Sequence, residues 1–203
     1  MNKIKTENTE AEILIAAKAV FQEKGMDGAR MQEIADKAKI NKALLHYYYR
    51  SKQLLFEAVF KSAFSLLAPQ LNKILNDESD LFTKIREFTN NYVAFVIEHP
   101  YLPNFVIQEL NKNPEFLLAL QASENFPSTE KFKIQVDLAV QQKIIKPIEA
   151  EQLFINIMSL NAFPFIGQPL LTALISTNKE NYNIMMDKRK TEVAEFIINA
   201  IKI

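Results

Sequence analysis

The segment KINKALLHYYYRSKQLLF, residues 39–56, decides the fold of this chain and carries the first indication of its function. It places three consecutive tyrosines after a histidine, although the whole chain contains only six tyrosines. Between residues 39 and 61 the only acidic residue is Glu57, whereas the cations there are Lys39, Lys42, Arg50, Lys52 and Lys61. Ring hydroxyls and positive charges are therefore concentrated in one short stretch.

The composition is that of an ordinary globular protein. Of 203 residues, 48% are hydrophobic and 24% are charged, and the formal net charge is zero. This balance of apolar and charged residues excludes disordered and collagen-like chains. The absence of cysteine excludes disulfides, thiolate nucleophiles and cysteine-ligated zinc. Charges interrupt the N-terminal residues before any apolar run reaches the length of a signal peptide or a membrane span. We expect a soluble cytoplasmic protein that has no membrane partner.

Glycine is scarce, because Gly25, Gly28 and Gly167 are the only three in the chain. Together with long runs of good helix formers, this scarcity predicts an all-α fold. Apolar residues at helical spacing predict three short helices, a longer fourth helix and then further helices, so that a C-terminal bundle has about six in all. We place a domain boundary at residue 51, between a small basic module over 1–50 and an apolar bundle over 51–203.

The small module has recognisable helix boundaries. Its first helix should cover about residues 9–24, with Gly25 where a C-terminal cap belongs. A second helix should cover residues 31–38. Asn41 can cap a third helix, which should cover residues 42–49.

The bundle begins with the fourth helix, which Ser51 can cap. Pro69 should kink or end that helix. Later apolar stripes stop at Pro100 and at Pro164, and the segment KRKTEVAEFIINAIK, residues 188–202, predicts a final helix.

Two short helices joined by a tight turn form a helix-turn-helix, whose second helix lies in the major groove of DNA. Here the turn is KIN, residues 39–41. Lysines, tyrosine hydroxyls and helix N-termini all contact phosphates. Lys42, Tyr48 and Lys52, with the amides that follow Ser51, supply these three kinds of contact. The pattern therefore predicts that residues 1–50 bind DNA and that the tyrosines are contacts, not catalysts.

The first sixty or so residues also resemble the DNA-binding domain of the tetracycline-repressor (TetR/AcrR) family of bacterial regulators. The matching features form a long, spaced pattern, and the rest of the chain matches only in length and helical order. The features are an amphipathic first helix ending at Gly25, EIA at residues 33–35, Asn41 and Lys42 opening the recognition helix, Leu45, the tyrosines at 47–49, and Ser51 with Lys52.

The resemblance implies a homodimer that reads a near-palindromic operator, and a bundle that holds a small molecule and forms the dimer contacts. It implies DNA contacts at Asn41, Lys42, Ala43, Leu44, His46, Tyr47, Tyr48 and Lys52, and we also expect contacts at Arg30 and Met31. Three positions depart from the family pattern: Lys39 stands where glycine is usual in the turn, Ala43 where glycine is usual after Lys42, and Arg30 where a hydroxyl residue usually caps the second helix. A left-handed Lys39 would be strained, and Arg30 cannot accept capping hydrogen bonds but could reach a phosphate.

Some of these residues have plainer interpretations. Successive helical residues are about 100° apart, so the three tyrosines cannot all face DNA, and we expect Tyr49 to be core. His46 reads DNA or is an ordinary exposed histidine. His99 more often stabilises a helix end than binds a metal. With two histidines and no cysteine in the chain, we assign no metal and no cofactor.

Aromatic residues at helical spacing on the fifth helix are either core or the wall of a ligand pocket. Sparse polar residues near them favour a mostly apolar small molecule with little charge. We expect the ligand site to contain Phe64, Leu67, Phe88, Asn91, Tyr92, Phe95, Phe105 and Gln108.

The last two long helices are apolar over more than one face. Such helices are either fully buried or shared with a second copy of the chain, and we favour a four-helix dimer interface. We expect the interface to contain Phe154, Ile157, Met158, Val193, Phe196, Ile197 and Ala200.

The sequence therefore predicts a ligand-responsive regulator, a repressor by default with activation left open. Ligand would shift residues 52–66 and change the spacing of the recognition helices. The alternative is a helical small-molecule carrier or interaction module that has lost specific DNA binding. An enzyme would need a nucleophile with its base, paired catalytic carboxylates or a glycine-rich phosphate loop, and we find none of these patterns.

Overall fold

The computed structural model describes residues 2–100, 102–104, 107, 114–122 and 126–203, and within them it contains ten helices and no strand. The all-α prediction is confirmed. In chain order the helices are α1 (Asn2–Gly28), α2 (Met31–Lys37), α3 (Lys42–Tyr48), α4 (Lys52–Asn76), α5 (Leu81–Glu98), α6 (Pro114–Gln121), α7 (Glu130–Gln141), α8 (Ala150–Ile166), α9 (Gln168–Leu174) and α10 (Lys179–Ile201).

The chain divides into two compact units, residues 1–65 and 66–203. This division lies inside α4, which contributes residues to both units. The domain boundary predicted at residue 51 lies at the start of the same helix.

The N-terminal unit has a small apolar core to which α1, α2, α3 and α4 all contribute. Burying one large apolar side chain of this kind contributes about 1.5–3 kcal/mol. Phe21 and Phe56 meet edge to face, with ring centroids 4.6 Å apart. The most deeply buried members are Ile13, Ala17, Val20, Phe21, Ile34, Leu45, Leu55 and Phe56.

The first helix is longer than predicted. α1 begins at Asn2, not near residue 9, because residues 2–8 contain no glycine or proline to stop it. Its regular path is interrupted at Gly25, where φ is 67° and ψ is 178°. Only glycine adopts this backbone region readily. The predicted helix end at Gly25 is therefore confirmed as a break in the helical backbone.

Two helices continue through a proline: α4 does not end at Pro69, which was predicted to kink or end it, and the prediction that α8 stops at Pro164 is wrong. α4 runs on to Asn76 and α8 runs on to Ile166. Pro69 deprives only the carbonyl of Ser65 of a donor, and Ser65 is exposed, so water can bond it. In α8 a side chain from α10 replaces the missing donor, as described below.

The C-terminal unit buries one main apolar cluster between the second half of α4 and the helices α5, α7, α8 and α10. Ion pairs on its surface join neighbouring helices, with Arg86 2.6 Å from Glu195 and Lys133 2.9 Å from Glu151. Members of the cluster include Leu71, Leu75, Ile85, Phe88, Phe132, Val136, Leu153, Ile157, Val193, Ile197 and Ile198.

A buried lysine closes the C-terminal end of α4. The Lys84 side chain is fully buried, and its ammonium donates to the carbonyls of Ile74 and Asp77 at 2.9 and 2.8 Å. It also donates to the Asp77 carboxylate at 2.6 Å. The hydrogen bonds from Lys84 and Ser79 hold the pKa of Asp77 well below its ordinary range. All three ammonium hydrogens therefore have acceptors, which makes the burial tolerable.

By length and composition alone, α4 is apolar enough to cross a membrane, as is α8 taken together with α9. Leu55 and Phe56 of α4 are buried in the N-terminal unit, and Leu67 and Leu75 are buried in the C-terminal unit. Core packing in the two units therefore accounts for the apolar character of α4.

Candidate nucleic-acid interface

The turn between α2 and α3 is closed by its own backbone. The N–H of Lys39 donates to the carbonyl of Asp36 at 3.1 Å, and the N–H of Ile40 donates to that of Ala35 at 3.0 Å. This pair of bonds is a Schellman motif, which requires a left-handed residue after the helix end. Lys39 takes that place with φ at 56°, at a cost on the order of 1 kcal/mol relative to glycine.

The recognition helix α3 begins immediately after this turn. The N–H of Leu44 donates to Oδ1 of Asn41 at 2.7 Å, which confirms Asn41 as the N-terminal cap. Leu45 faces the core and is fully buried. The residues that share the opposite face are exposed, namely Lys42, Ala43, His46 and Tyr47, because positions three and four apart lie above one another on a helix.

The three tyrosines have three different environments. Tyr47 is 80% exposed, whereas Tyr49 is only 8% exposed, as predicted for a core residue. The Tyr49 hydroxyl donates to Oε1 of Glu10 at 3.0 Å, and burial together with this bond raises its pKa. Tyr48 is half-buried and packs edge to face against Tyr47, with centroids 5.7 Å apart. Tyr47 and Tyr48 are the two tyrosines left at the surface of the module.

The start of α4 has a structural role that the sequence did not predict. Nζ of Lys52 donates to the carbonyls of Asp27 and Ala29 at 3.2 and 3.1 Å, so this lysine holds the connection between α1 and α2. An ammonium has three donors, which leaves one for a phosphate. Ser51 caps α4 as predicted, because its Oγ accepts from the N–H of Leu54 at 3.1 Å.

The start of α2 lacks a side-chain cap. Arg30 stands in the capping position with extended backbone angles, and its side chain bonds no amide of the helix. Arg30 is exposed and Met31 is half-buried beside it. Leu44 lies at the edge of the exposed face of α3, with 37% of its surface accessible. The predicted DNA-binding residues thus lie at the starts of α2 and α4 and along α3 with its cap.

The family profile described as "Bacterial regulatory proteins, tetR family" matches residues 13–59, the stretch that builds this helix-turn-helix and its supporting helices. Residues 13–59 therefore match the DNA-binding domain of the TetR family. Among its relatives, the HTH-type transcriptional repressor NicS of Pseudomonas putida is 30% identical over 94 residues, which are 46% of this chain and 44% of NicS. The HTH-type transcriptional activator FasR of Mycolicibacterium smegmatis is 31% identical over 98 residues, 48% of this chain and 44% of FasR.

In both cases this chain spans less than half of the relative's length. A crystal structure of a HlyIIR mutant protein covers almost the whole chain: it matches 97% of this chain and 98% of that one, with a TM-score of 0.65 and 24% identity. That likeness shows that residues 66–203, which the family profile does not cover, also share their fold with HlyIIR.

The predicted ligand residues do not all have the same surroundings. Leu67 and Phe88 are buried in the main apolar cluster, and Tyr92 and Phe95 pack against it half-buried. The Asn91 amide is occupied locally, donating to the carbonyl of Glu87 at 2.8 Å. Phe64, in the N-terminal unit, stacks on Phe60 with centroids 5.6 Å apart. Phe105 and Gln108 lie outside the described residues.

The predicted dimer residues divide into a buried and a surface set. Ile157, Val193 and Ile197 are core residues of the C-terminal unit, so they have almost no surface to offer a second copy. Phe154 and Met158 pack half-buried against that core. The surface set is different: Phe196 is 65% exposed and Ala200 is exposed beside it.

The sequence did not predict a buried polar centre between α5, α8 and α10. Thr89 and Asn161 are fully buried, and Nδ2 of Asn161 lies 3.3 Å from Oγ1 of Thr89. Arg189 donates from Nη2 to the carbonyl of Leu160 at 2.5 Å. A polar residue inside the apolar run FINIMSLNAF was the available indication of Asn161. No three histidine, aspartate or glutamate residues in the described part of the chain lie close enough together to hold a metal ion.

Proposed function

We propose that this protein is a cytoplasmic DNA-binding transcriptional regulator that binds a near-palindromic operator as a homodimer and is released by a small molecule. One observation carries the proposal: Lys42, Ala43, His46 and Tyr47 form an exposed face on a capped helix that follows a helix-turn-helix turn. A face of this kind lies in the major groove in helix-turn-helix proteins.

Contacts of two kinds would hold this face on DNA. Lys42, Tyr48 and the remaining donor of Lys52 would bond phosphates, as would the amides at the start of α4. Ala43 and Tyr47 would meet base edges and set the preferred sequence. His46 would lie between the two sets, with a base edge or a phosphate as its partner.

The sign of regulation we propose is repression. The relatives named above include both a repressor and an activator, so the relatives leave both signs open. Repression needs only that the bound protein obstruct a promoter. A reporter gene behind the operator, measured with and without the protein, tests the sign.

The dimer would form through the exposed parts of α8 and α10. A groove of about 320 Å³ is lined there by Asn156, Ser159, Phe196 and Ala200. Ile155 and Phe163 are further large apolar side chains exposed on α8. A two-fold axis through this surface would suit a two-fold operator, whose half-site centres are about 34 to 36 Å apart or a multiple of that.

Ligand binding in the C-terminal unit would act on DNA binding through α4. This helix begins beside the recognition helix and ends in the core of the C-terminal unit. A displacement of residues 52–66 would change the spacing of the two recognition helices of a dimer. A coupling free energy of roughly 1–3 kcal/mol is typical of such linkage.

The test is binding of the purified protein to the DNA that flanks its own gene, measured by fluorescence anisotropy across a salt series. Specific binding should exceed binding to unrelated DNA by about a thousandfold or more. Lys42→Ala should weaken binding to every sequence about equally and lower the salt slope by about one, because one phosphate contact is lost. Substitutions at Tyr47 should instead change which sequence is preferred.

Lys73→Ala is the matched control, because Lys73 is an exposed lysine near the other end of α4. It should leave DNA affinity unchanged. Unchanged affinity and salt slope in Lys42→Ala would contradict the phosphate contact. Equal, weak binding to all DNA by a folded dimer, repeated in a genome-wide operator search, would instead support the carrier or interaction module that has lost DNA binding.

A further inference from the structure

The polar centre of the C-terminal unit begins with a proline. Pro164 lies inside α8 and has no N–H, so the carbonyl of Leu160 lacks its helical donor. Nη2 of Arg189 supplies the bond at 2.5 Å. One turn further on, the Tyr182 hydroxyl donates to the carbonyl of Pro164 at 2.7 Å. Two side chains of α10 therefore bond two backbone acceptors at the end of α8.

Arg189 is a half-buried cation whose bonding is incomplete. Its Nε is buried and has no hydrogen-bond acceptor among the described residues. No carboxylate in the described part of the chain forms an ion pair with it, although the exposed Glu192 lies near enough to favour its charge. Burial lowers the pKa of Arg189, yet a guanidinium stays protonated in proteins. The structure thus holds a half-buried positive charge whose nearby carboxylate, Glu192, forms no ion pair with it, and one donor, Nε, that lacks an acceptor.

Asn161 adds a second incomplete group on the same turn of α8. Its side chain is fully buried, and its Oδ1 has no partner among the described residues. Its Nδ2 lies 3.3 Å from the Thr89 hydroxyl. That hydroxyl can donate as well as accept. If the Asn161 amide were rotated by 180°, Oδ1 would accept from the Thr89 hydroxyl and Nδ2 would become available as a donor.

The surroundings of these two groups are apolar. Burial raises the pKa of Tyr182, and the charge of Arg189 acts on Tyr182 with a smaller, opposing effect that lowers its pKa. Tyr182 belongs to an apolar cluster against which the predicted ligand residues Tyr92 and Phe95 pack. The other buried members of that cluster are Val93, Val96, Phe165 and Met186. Burial in this region raises the pKa of Tyr92 to about 12. Arg189 therefore lies near Tyr182 at the edge of this cluster, and Asn161 is joined through Thr89 to α5, the helix that carries Tyr92 and Phe95.

We infer that Arg189 and Asn161 form the polar end of the ligand site, and that the ligand is a monocarboxylate with an apolar body. One carboxylate oxygen accepts from Nε of Arg189 and the other from the Asn161 amide, which supplies the missing counter-ion. The apolar body lies along Tyr92 and Phe95. The inference rests on the proposed function for its regulatory meaning only, and it replaces the expectation of a ligand with little charge.

The number of free donors favours a carboxylate. Nε of Arg189 and the Asn161 amide offer two donors, which match the two oxygens of one carboxylate. A phosphate monoester carries more charge and more oxygens than two donors satisfy. A neutral alcohol would leave the guanidinium without a counter-ion, which is costly in a buried site.

The test is calorimetry on the full chain without DNA, with hexanoate, decanoate and myristate as probes and decanol as the neutral counterpart of decanoate. At least one carboxylate should bind, and decanoate should bind about tenfold or more tightly than decanol, because charge-assisted bonds are lost in the alcohol. Arg189→Gln should abolish that preference while leaving decanol affinity in place. Arg189→Lys keeps the charge and a donor for Leu160, so it should fold and lose only part of the preference.

Lys188→Gln is the matched control, since it removes an exposed positive charge from the neighbouring position on α10, and it should keep the full preference. Equal affinity for decanol and decanoate, a preference that survives in Arg189→Gln, or no binding of any carboxylate would each overturn the inference. Operator binding is measured separately by anisotropy. Operator binding without carboxylate binding would contradict the inference and leave the proposed function standing. Carboxylate binding without operator binding would contradict the proposed function and leave the inference standing.

Discussion

Two connections between consecutive helices are built in opposite ways. The turn from α2 to α3 is closed by bonds between neighbours: the backbone of residues 35–40 and the Asn41 cap. The bend of 79° between α8 and α9 depends on Tyr182, which lies 18 residues beyond the carbonyl it bonds, and on Arg189, which lies 29 residues beyond. A connection of the first kind forms from its own segment, whereas the second needs α10 in place.

The largest effect on stability is expected where a side chain from one helix bonds the carbonyls at the end of another. Lys84→Met keeps the volume of the side chain but leaves the carbonyls of Ile74 and Asp77 without their donor and Asp77 without its partner. We expect a loss of about 3–5 kcal/mol in the free energy of unfolding, the cost of breaking a buried pair. Urea denaturation followed by circular dichroism measures it.

The pH dependence of the same variant gives a second measurement. The pKa of Asp77 is depressed from its ordinary value of 3.8 in the folded state, so its contribution is present above that value and is lost as the pH falls below it. Lys84→Met should therefore flatten the acid limb of the stability curve. Lys131→Met removes a half-buried lysine paired with the exposed Glu78 and should change neither quantity noticeably. An equal loss in both variants would contradict the role of Lys84.

A smaller effect is expected at the bend itself. Tyr182→Phe leaves the buried carbonyl of Pro164 without a donor, which should cost about 1–3 kcal/mol. Tyr47→Phe removes a hydroxyl from an exposed tyrosine of the helix-turn-helix and should leave stability unchanged. Thermal melts of the two variants side by side measure the difference. Equal melting temperatures would show that the bend does not depend on α10.

The smallest effect is expected at the locally closed turn. Lys39→Gly relieves the strain of the left-handed backbone but also increases the conformational entropy of the unfolded chain. The net gain in the free energy of unfolding should be about 0.5–1 kcal/mol. Lys143 has the same conformation after α7, with φ at 57°, and Lys143→Gly should give a similar gain. Denaturation midpoints compare the two. If Lys143→Gly raised the free energy of unfolding and Lys39→Gly lowered it, the Lys39 side chain itself would stabilise the turn.

The same contrast explains what could be predicted from the sequence. The fold class, the boundaries of α2 and α3 to within one residue, the caps Asn41 and Ser51, and the burial of Tyr49 follow from signals within a few residues. The continuation of α8 past Pro164 could not be predicted, because its cause is Arg189 on another helix. Nor could spacing alone tell that Ile157 on α8 and Val193 on α10 face the core of their own chain, since both helices are apolar over more than one face.

The ligand, interface and DNA-contact assignments stay predictions, but the structure has sharpened each one. On α10 the proposed interface is narrowed to Phe196 and Ala200, and Arg189 joins the proposed ligand site. In both cases the helix was apparent from sequence while the direction of its side chains depended on which neighbour it packed against. Direction is a tertiary property, so one sequence without a fold cannot supply it.

The sharing of α4 between the two units also matters during synthesis on the ribosome. Domains generally fold as units and from the N-terminus first, so the half of α4 that carries Leu55 and Phe56 is covered as soon as residues 1–65 have emerged. The half that carries Leu71 and Leu75 shares its cluster with Val193, Ile197 and Ile198 of α10, the last of the described helices to be made. Other members of this cluster, on α5, α7 and α8, are made earlier, and synthesis of α10 completes the cover of this apolar segment only after more than half of the chain has followed it.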